Sequence, residues 1–361
     1  MDYRVIARRW RPRRFDQVVG QEHIIGTLTH AIERNRIAHA YLFSGSRGTG
    51  KTTMARLFAM ALNAREKQTA NFDPEDPICA AIWRGTNLDV LEIDGASNNS
   101  VDEVRALRER CIYAPAECRY RIFIIDEVHM LTNAAFNALL KILEEPPEHV
   151  KFIFATTDAQ KVLSTVVSRC QRFNFRPIPQ DLMKKRLEEI ADAEGVTIES
   201  GAIGAIVRMA GGGMRDAQSL LEQMIAFCGK NICTRDVLSM FSLVDEVEVK
   251  AMADSLIGRN GKYALALAEN WNKLGVDFYH AFADVEEELQ RRLVSAVENN
   301  STDRAIIVSL LHTLCGYERQ LQFAVSPGTT FAVALLLAIE NSHRRPIEEI
   351  MRALKCTEKD N

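Results

Sequence analysis

The sequence predicts an α/β chain: a doubly wound parallel sheet built around a phosphate-binding loop, followed by a small helical lid domain and an all-helical third domain. Three observations carry this. Residues 40–55, AYLFSGSRGTGKTTMA, set a short apolar run (Tyr41, Leu42, Phe43) before Gly45-Ser46-Arg47-Gly48-Thr49-Gly50-Lys51-Thr52, which matches G-x-x-x-x-G-K-[ST], and a helix-forming segment follows at 54–62. Further strand patterns at 89–94 (DVLEID), 121–126 (RIFIID), 151–156 (KFIFAT) and 172–175 are apolar on both faces in the middle runs, as parallel strands covered by helices require. Helical spacing at 22–34, 101–113, 132–144 and 165–170 alternates with them, so residues 1–178 read as the doubly wound domain.

From 180 to about 242 no strand pattern remains. Residues 181–194 and 200–210 carry helical apolar spacing, Gly211-Gly212-Gly213 breaks the chain, and 214–227 resumes a helix; 179–242 is expected to be the lid. Residues 243–361 read as about five helices broken at 258–261, 274–275, 299–300 and 326–328. Ala305, Val308, Leu311, Leu314 and Leu321 are expected to face this region's own core or an oligomer interface.

Charge is nearly balanced, 45 Lys+Arg against 48 Asp+Glu, so bulk attraction to nucleic acid is excluded and any such contact must come from local patches. The basic start, MDYRVIARRWRPRRF, lacks the apolar core of a secretory signal, and the longest apolar run, 331–339, is too short to cross a bilayer. Eight scattered cysteines then read as reduced thiols in the cytoplasm.

The chemistry sits at strand ends. In the loop, three glycines let successive N–H groups face one anion, Lys51 is placed for the outer phosphates, and Thr52 for Mg²⁺; Thr53 is expected among the nucleotide-binding residues. The apolar strand 122–125 ends in Asp126, placed to hold Mg²⁺ through water, and Glu127, able to polarise an attacking water. The pair could instead cap the next helix. His129 orients Glu127 or faces solvent. Thr156 and Thr157 end the next strand, where a hydroxyl can bond the water or the γ-phosphate, or merely cap the strand. Arg169, in Ser168-Arg169-Cys170, is either a surface ion pair or an arginine finger completing a neighbour's site. Arg215, in Gly213-Met214-Arg215-Asp216-Ala217, can swing onto the γ-phosphate of its own subunit or stand as a plain helix N-terminal charge.

Arg8-Arg9-Trp10-Arg11-Pro12, Val18-Val19-Gly20-Gln21-Glu22, the phosphate loop, Asp126-Glu127-Val128-His129, Glu144-Glu145-Pro146-Pro147-Glu148-His149, Ser168-Arg169-Cys170 and Met214-Arg215-Asp216-Ala217 occur in that order. The set closely resembles the tau/gamma family of bacterial DNA polymerase III clamp-loader subunits, which are AAA+ ATPases. The likeness is dense to about residue 242 and weaker to about 345. It implies that Ala7, Arg11, Pro12 and Val19 line the adenine and ribose pocket, that Lys51 and Thr52 hold phosphates and Mg²⁺, and that Asp126 and Glu127 are the Walker B acids. Thr157, or its neighbour Thr156, would be the first sensor, Arg215 the second, and Arg169 the finger acting in trans. The third domain would be a collar joining five AAA+ subunits into a ring. Such loaders use ATP to hold the sliding clamp open and grip a primer–template junction at replication forks, at the nucleoid.

Two departures from the family stand out. Where members usually carry a four-cysteine zinc knuckle, Ala64, Asp73 and Asp76 occupy three positions and only Cys79 remains, so no zinc is expected. The length, ending after the expected collar, leads to the expectation of a short gamma-like form. For DNA, Ser97-Asn98-Asn99-Ser100 and Arg105 sit where a backbone contact would fall, although Ser100 can equally be an N-cap. Two other readings compete. A DExH-type helicase needs a second RecA-like domain, and a non-hydrolysing structural subunit would tolerate damage to Lys51, Thr52, Asp126 or Glu127, all of which are present.

Overall fold

A computed structural model describes residues 5–65 and 67–342; the first four residues of the basic start and the end of the third domain at 343–361 lie outside the described residues. The chain divides into two compact units, residues 1–232 and 233–361.

In the first unit the elements are α1 (Ile6–Arg9), α2 (Glu22–Glu33), β1 (Ala40–Gly45), α3 (Lys51–Asn63), α4 (Pro77–Arg84), β2 (Val90–Asp94), α5 (Val101–Cys111), β3 (Arg121–Asp126), α6 (Asn133–Glu144), β4 (Val150–Thr156), α7 (Ser164–Val167) and β5 (Gln171–Phe175). All five strands are parallel, in the order β2-β3-β4-β1-β5. The phosphate-loop strand β1 is therefore flanked by β4 and β5, and β3 lies one strand further on. Strand alternation splits the interior into two cores. Tyr41, Phe43, Ile122, Ile124 and Ile153 face α2, α3 and α4, while Leu42, Phe123, Ile125, Phe152 and Phe154 face α5, α6 and α7. Every residue of β4 is buried, whereas the edge strands β2 and β5 are half exposed. Lys151, the one cation in β4, is accommodated with its Nζ 5.0 Å above the Tyr120 ring.

The expected strand at 89–94 starts one residue later, because Asp89 is consumed in a different task. Its buried carboxylate accepts from the backbone N–H of Ala116 (2.9 Å), Glu117 (2.8 Å) and Cys118 (3.0 Å) and from Arg121 Nη2 (3.0 Å). This clamps the loop that leads into β3. The helix expected at 165–170 shrinks to the four residues of α7.

The rest of this unit is α8 (Gln180–Glu194), β6 (Thr197–Ile198), α9 (Ser200–Met209), α10 (Met214–Cys228) and β7 (Asn231–Ile232). Met183, Leu187 and Ile190 of α8, Ile203 and Ile206 of α9, and Leu221 and Met224 of α10 are buried. The expectation of no strand here is corrected: β6 and β7 pair in parallel, Thr197 opposite Asn231 and Ile198 opposite Ile232. Two residues per strand give too short a period to stand out in sequence.

The second unit holds α11 (Thr234–Met240), α12 (Glu246–Ile257), α13 (Gly261–Leu274), α14 (Phe278–Glu298), α15 (Arg304–Leu314), α16 (Glu318–Gln322) and α17 (Pro327–Asn341). From residue 245 onward six helices are described, not about five, since the 299–328 stretch forms two. Phe331 packs against Trp271, Phe278 and Phe282, and the Trp271 indole donates to Glu248 Oε2 at 2.6 Å. The buried face of α15 is Ile307, Leu310 and Leu314; Ala305 and Val308 point to solvent and Leu311 is half-buried. The expected stripe is thus rotated on this helix. The apolar residues are dense enough there to fit two registers, and packing selects one. Among the described residues the sheets are the first unit's five parallel strands and the two-stranded β6–β7 pair. No described helix is long and apolar enough to cross a membrane.

Candidate functional site

The loop between β1 and α3 is shaped by glycines that no other residue could replace. Gly45 has φ +147°, and a Cβ there would lie 2.4 Å from the carbonyl oxygen of Phe175 in β5. Gly48 has φ +76°, and its Cβ would come within 2.8 Å of Asp216 Oδ2 and 2.9 Å of Gly213 Cα, at the start of α10. The phosphate loop and the lid therefore touch backbone to backbone. Arg215 N donates to Gly48 O at 3.4 Å, and Arg47 Nε lies 3.7 Å from Asp216 Oδ1.

Lys51, the first residue of α3, is buried and donates through Nζ to the carbonyls of Gly45 and Ser46, each at 2.8 Å. Burial pulls its pKa down, opposed by Glu127 and Asp126. Thr49 Oγ1 donates to Ser46 O at 2.8 Å and closes the turn. Thr52 Oγ1 donates to Asp126 Oδ2 at 2.7 Å. Burial pushes the Asp126 carboxyl up, against the hydrogen bonds from Thr52 and from Glu127 N. A hydroxyl and a half-buried carboxylate side by side form the hard oxygen set that suits Mg²⁺, and a divalent cation would offset the partly desolvated charge. The residues present therefore fit the ion, with Thr52 and Asp126 as its holders.

One cleft of about 1490 Å³ is lined by Ala7, Arg11, Pro12 and Val19 together with Lys51, Thr52, Asp126 and Glu127, and by Arg215 of α10. Arg47, Gly48, Thr49, Gly50 and Thr53 also line it. The structure thus brings together the residues expected for base, ribose, phosphates and second sensor. Thr156, Thr157 and Arg169 stand outside this lining. Thr157 nonetheless reaches Glu127 Oε2 through N (3.1 Å) and Oγ1 (3.0 Å). Thr156 is fully buried, and its hydroxyl accepts from Asp158 N at 3.0 Å. Arg169 turns back onto its own chain, with Nη2 at 2.9 Å from Glu144 Oε1 and Nη1 at 2.7 Å from Thr165 O.

Sequence reasoning missed the aromatic floor of the cleft. Trp83 in α4 carries two guanidinium groups, those of Arg11 at 5.7 Å and Arg56 at 5.9 Å from the ring centroid. Arg11 Nε also donates to Thr53 Oγ1 at 2.9 Å, and burial, then the charge of Arg56, pulls the Arg11 pKa down to about 10. The adjacent Trp10 donates to Glu194 Oε1 in α8 at 2.7 Å, and Arg9 pairs with the same carboxylate. The segment 8–12 therefore ties the lid to the phosphate-loop helix. No motif spacing links residues this far apart.

At the expected DNA contact, Ser100 is the N-cap of α5, closed by Glu103 in a capping box. Ser97 Oγ donates to Asp94 Oδ2 at 2.6 Å, and Arg105 pairs with Asp102 at the surface. At the zinc-knuckle positions, Asp76 caps α4 by accepting from Ile78 N and Cys79 N, Asp73 accepts from Glu75 N, and the buried Cys79 thiol faces Met60 O at 3.8 Å.

A family model described as DNA polymerase III, delta subunit, matches residues 20–179, and one described as DNA polymerase III clamp loader subunit, ATPase lid domain, matches residues 183–230. DNA polymerase III subunit gamma of Buchnera aphidicola subsp. Acyrthosiphon pisum is 38% identical over 278 residues, covering 77% of this chain and 77% of the relative. The chain belongs to the tau/gamma subunit family of DNA polymerase III. Subunit tau of Bacillus subtilis is 46% identical over 277 residues, and this tau/gamma-family chain spans about half of that relative's length: 77% of this chain and 49% of the relative are covered. Among solved structures, the Thermotoga maritima RuvB Holliday junction branch migration motor is similar at 22% identity with a TM-score of 0.48, over 74% of this chain and 86% of that one. The five-stranded sheet and the helices of the lid lie within the stretches that these two family models match.

Proposed function

We propose that this chain is an ATPase subunit of the DNA polymerase III clamp loader, hydrolysing ATP to open the sliding clamp and load it onto primer–template DNA. It would do so in the cytoplasm, at replication forks, within a five-membered ring of loader subunits. The observation that carries this reading is the convergence of Lys51, Thr52, Asp126 and Glu127 in one cleft with Arg215 of the lid on its border.

In this reading Lys51 leaves the carbonyls of Gly45 and Ser46 for the β- and γ-phosphates, and the backbone N–H groups from Gly48 to Thr52 complete the cradle. Thr52 and Asp126 hold Mg²⁺, which when bound neutralises charge developing on the phosphates. Glu127 polarises the water that attacks the γ-phosphorus, and Thr157 steadies Glu127. Arg215 follows the γ-phosphate with the lid, so loss of phosphate is felt by α10. Arg169, lying outside its own cleft, is free to serve the neighbouring subunit once its ion pair with Glu144 opens. That would make an isolated chain a slow enzyme.

The test is ATP turnover by the reconstituted loader, with and without clamp and primed DNA. Stimulation by both is expected. Full-speed turnover by the isolated, strictly monomeric chain would refute the shared site.

A further inference from the structure

Glu127, His129 and Thr156 form a linked set in which the histidine has no role in the reading above. Glu127 follows β3 with φ +46°, a backbone conformation that non-glycine residues seldom adopt, so the carboxylate is aimed by the main chain. Two hydrogen bonds converge on one of its oxygens, Oε2, from Thr157 N at 3.1 Å and Thr157 Oγ1 at 3.0 Å, and His129 Nδ1 stands 3.3 Å from the same oxygen. Among the described residues Oε1 has no hydrogen-bond partner. The same Nδ1 lies 2.9 Å from Thr156 Oγ1, which is itself fixed by Asp158 N at 3.0 Å. The imidazole is only 11% exposed. A carboxylate oxygen can only accept, so a bare Nδ1 would set two lone pairs against each other. The proton is assigned to Nδ1 on that ground.

We propose that His129 is a positioning residue for hydrolysis: its Nδ1–H, hydrogen-bonded to the Thr156 hydroxyl, holds the imidazole against Glu127 Oε2, so that this oxygen stays on Thr157 and Oε1 is the oxygen offered to the attacking water. This deepens the reading above and rests on Glu127 acting on that water. Oε2 is held by its two hydrogen bonds from Thr157, which leaves Oε1 open to accept from a water. The direction of proton transfer is thereby fixed before substrate arrives, and the set joins the ends of β3 and β4, which lie side by side.

The experiment uses the full chain assembled in the reconstituted loader and reads steady-state ATP turnover alongside affinity for a fluorescent ATP analogue. His129→Ala removes the donor, His129→Asn keeps an N–H near the Nδ1 position, Thr156→Val removes the steadying hydroxyl, and Glu127→Gln removes the base. In His129→Ala, kcat should fall about 10- to 100-fold, the effect of a misplaced catalytic group, with nucleotide affinity unchanged. His129→Asn should recover most of that loss. Combining His129→Ala with Thr156→Val should cost no more than His129→Ala alone, since both act through one link. Wild-type kcat in His129→Ala beside a silent Glu127→Gln would overturn the proposal, as would equal losses in the Ala and Asn variants. Wild-type turnover in Glu127→Gln would instead remove the assignment of Glu127, and the proposal with it.

Discussion

Thr52 Oγ1 donates to Asp126 Oδ2 across 2.7 Å, joining the first turn of α3 to the end of β3, two strands away in the sheet. Without a cation between them, the pair holds a carboxylate that burial has pushed up, so ionised Asp126 is a charge the folded chain keeps at a cost. A raised folded pKa means this cost is present at neutral pH and disappears as pH falls toward the unfolded value near 3.9. Asp126→Asn should therefore raise the thermal midpoint of the ligand-free protein, by about 1 kcal/mol of stability, while abolishing Mg²⁺-dependent turnover. Calorimetry paired with an ATPase assay checks both; a lowered midpoint would contradict the sign.

Asp89 works in the opposite sense. Burial alone would push its carboxyl up, but the three loop N–H groups and Arg121 outweigh burial and hold it below the usual carboxylate range. Its stabilisation is therefore complete above the unfolded value of about 3.9 and lost as pH falls through the lower folded value. Asp89→Ala should cost roughly 3 to 5 kcal/mol, because Arg121, itself mostly buried, is left without its counter-charge. Urea unfolding measures this. A cost under about 1 kcal/mol would mean the loop closes without Asp89.

Arg169 and Glu144 form a half-exposed pair, the kind that contributes about 0 to 1 kcal/mol and exchanges partners readily. Arg169→Ala should leave the thermal midpoint and nucleotide affinity near wild type. In the assembled loader it should remove most DNA- and clamp-stimulated turnover, on the order of 10³-fold. Unchanged stimulated turnover would show that no neighbour relies on this guanidinium.

Cys79 should bind no metal. Burial, then the nearby Asp76 and Asp73, pushes its thiol up to about 12, and a single cysteine cannot close a structural zinc site. Both aspartates are occupied in capping and turn bonds. Elemental analysis of the purified protein should find zinc well below one per chain; a stoichiometric amount would overturn this.

Most of the catalytic half was legible because its signals are local. The loop from Gly45 to Thr52 and the acids after 122–125 each announce themselves within about ten residues, and both-face burial marks β3 and β4 as interior strands. What stayed hidden depends on partners far away in sequence. The Asp89 clamp needs residues 116–121, the β6–β7 pair needs two segments some thirty residues apart, and the Trp83 platform needs Arg11. The register of α15 is set by neighbours across the bundle, which no single-helix pattern contains.

The placement of Trp10 and Trp83 has a practical corollary. The chain has three indoles; two border the cleft, one tethered to the lid through Glu194 and the other lying beneath Arg11, while Trp271 is sealed in the second unit's core. The protein thus carries a native optical probe: quenching or a wavelength shift in its ultraviolet emission would follow occupancy and lid movement in real time, with no dye attached.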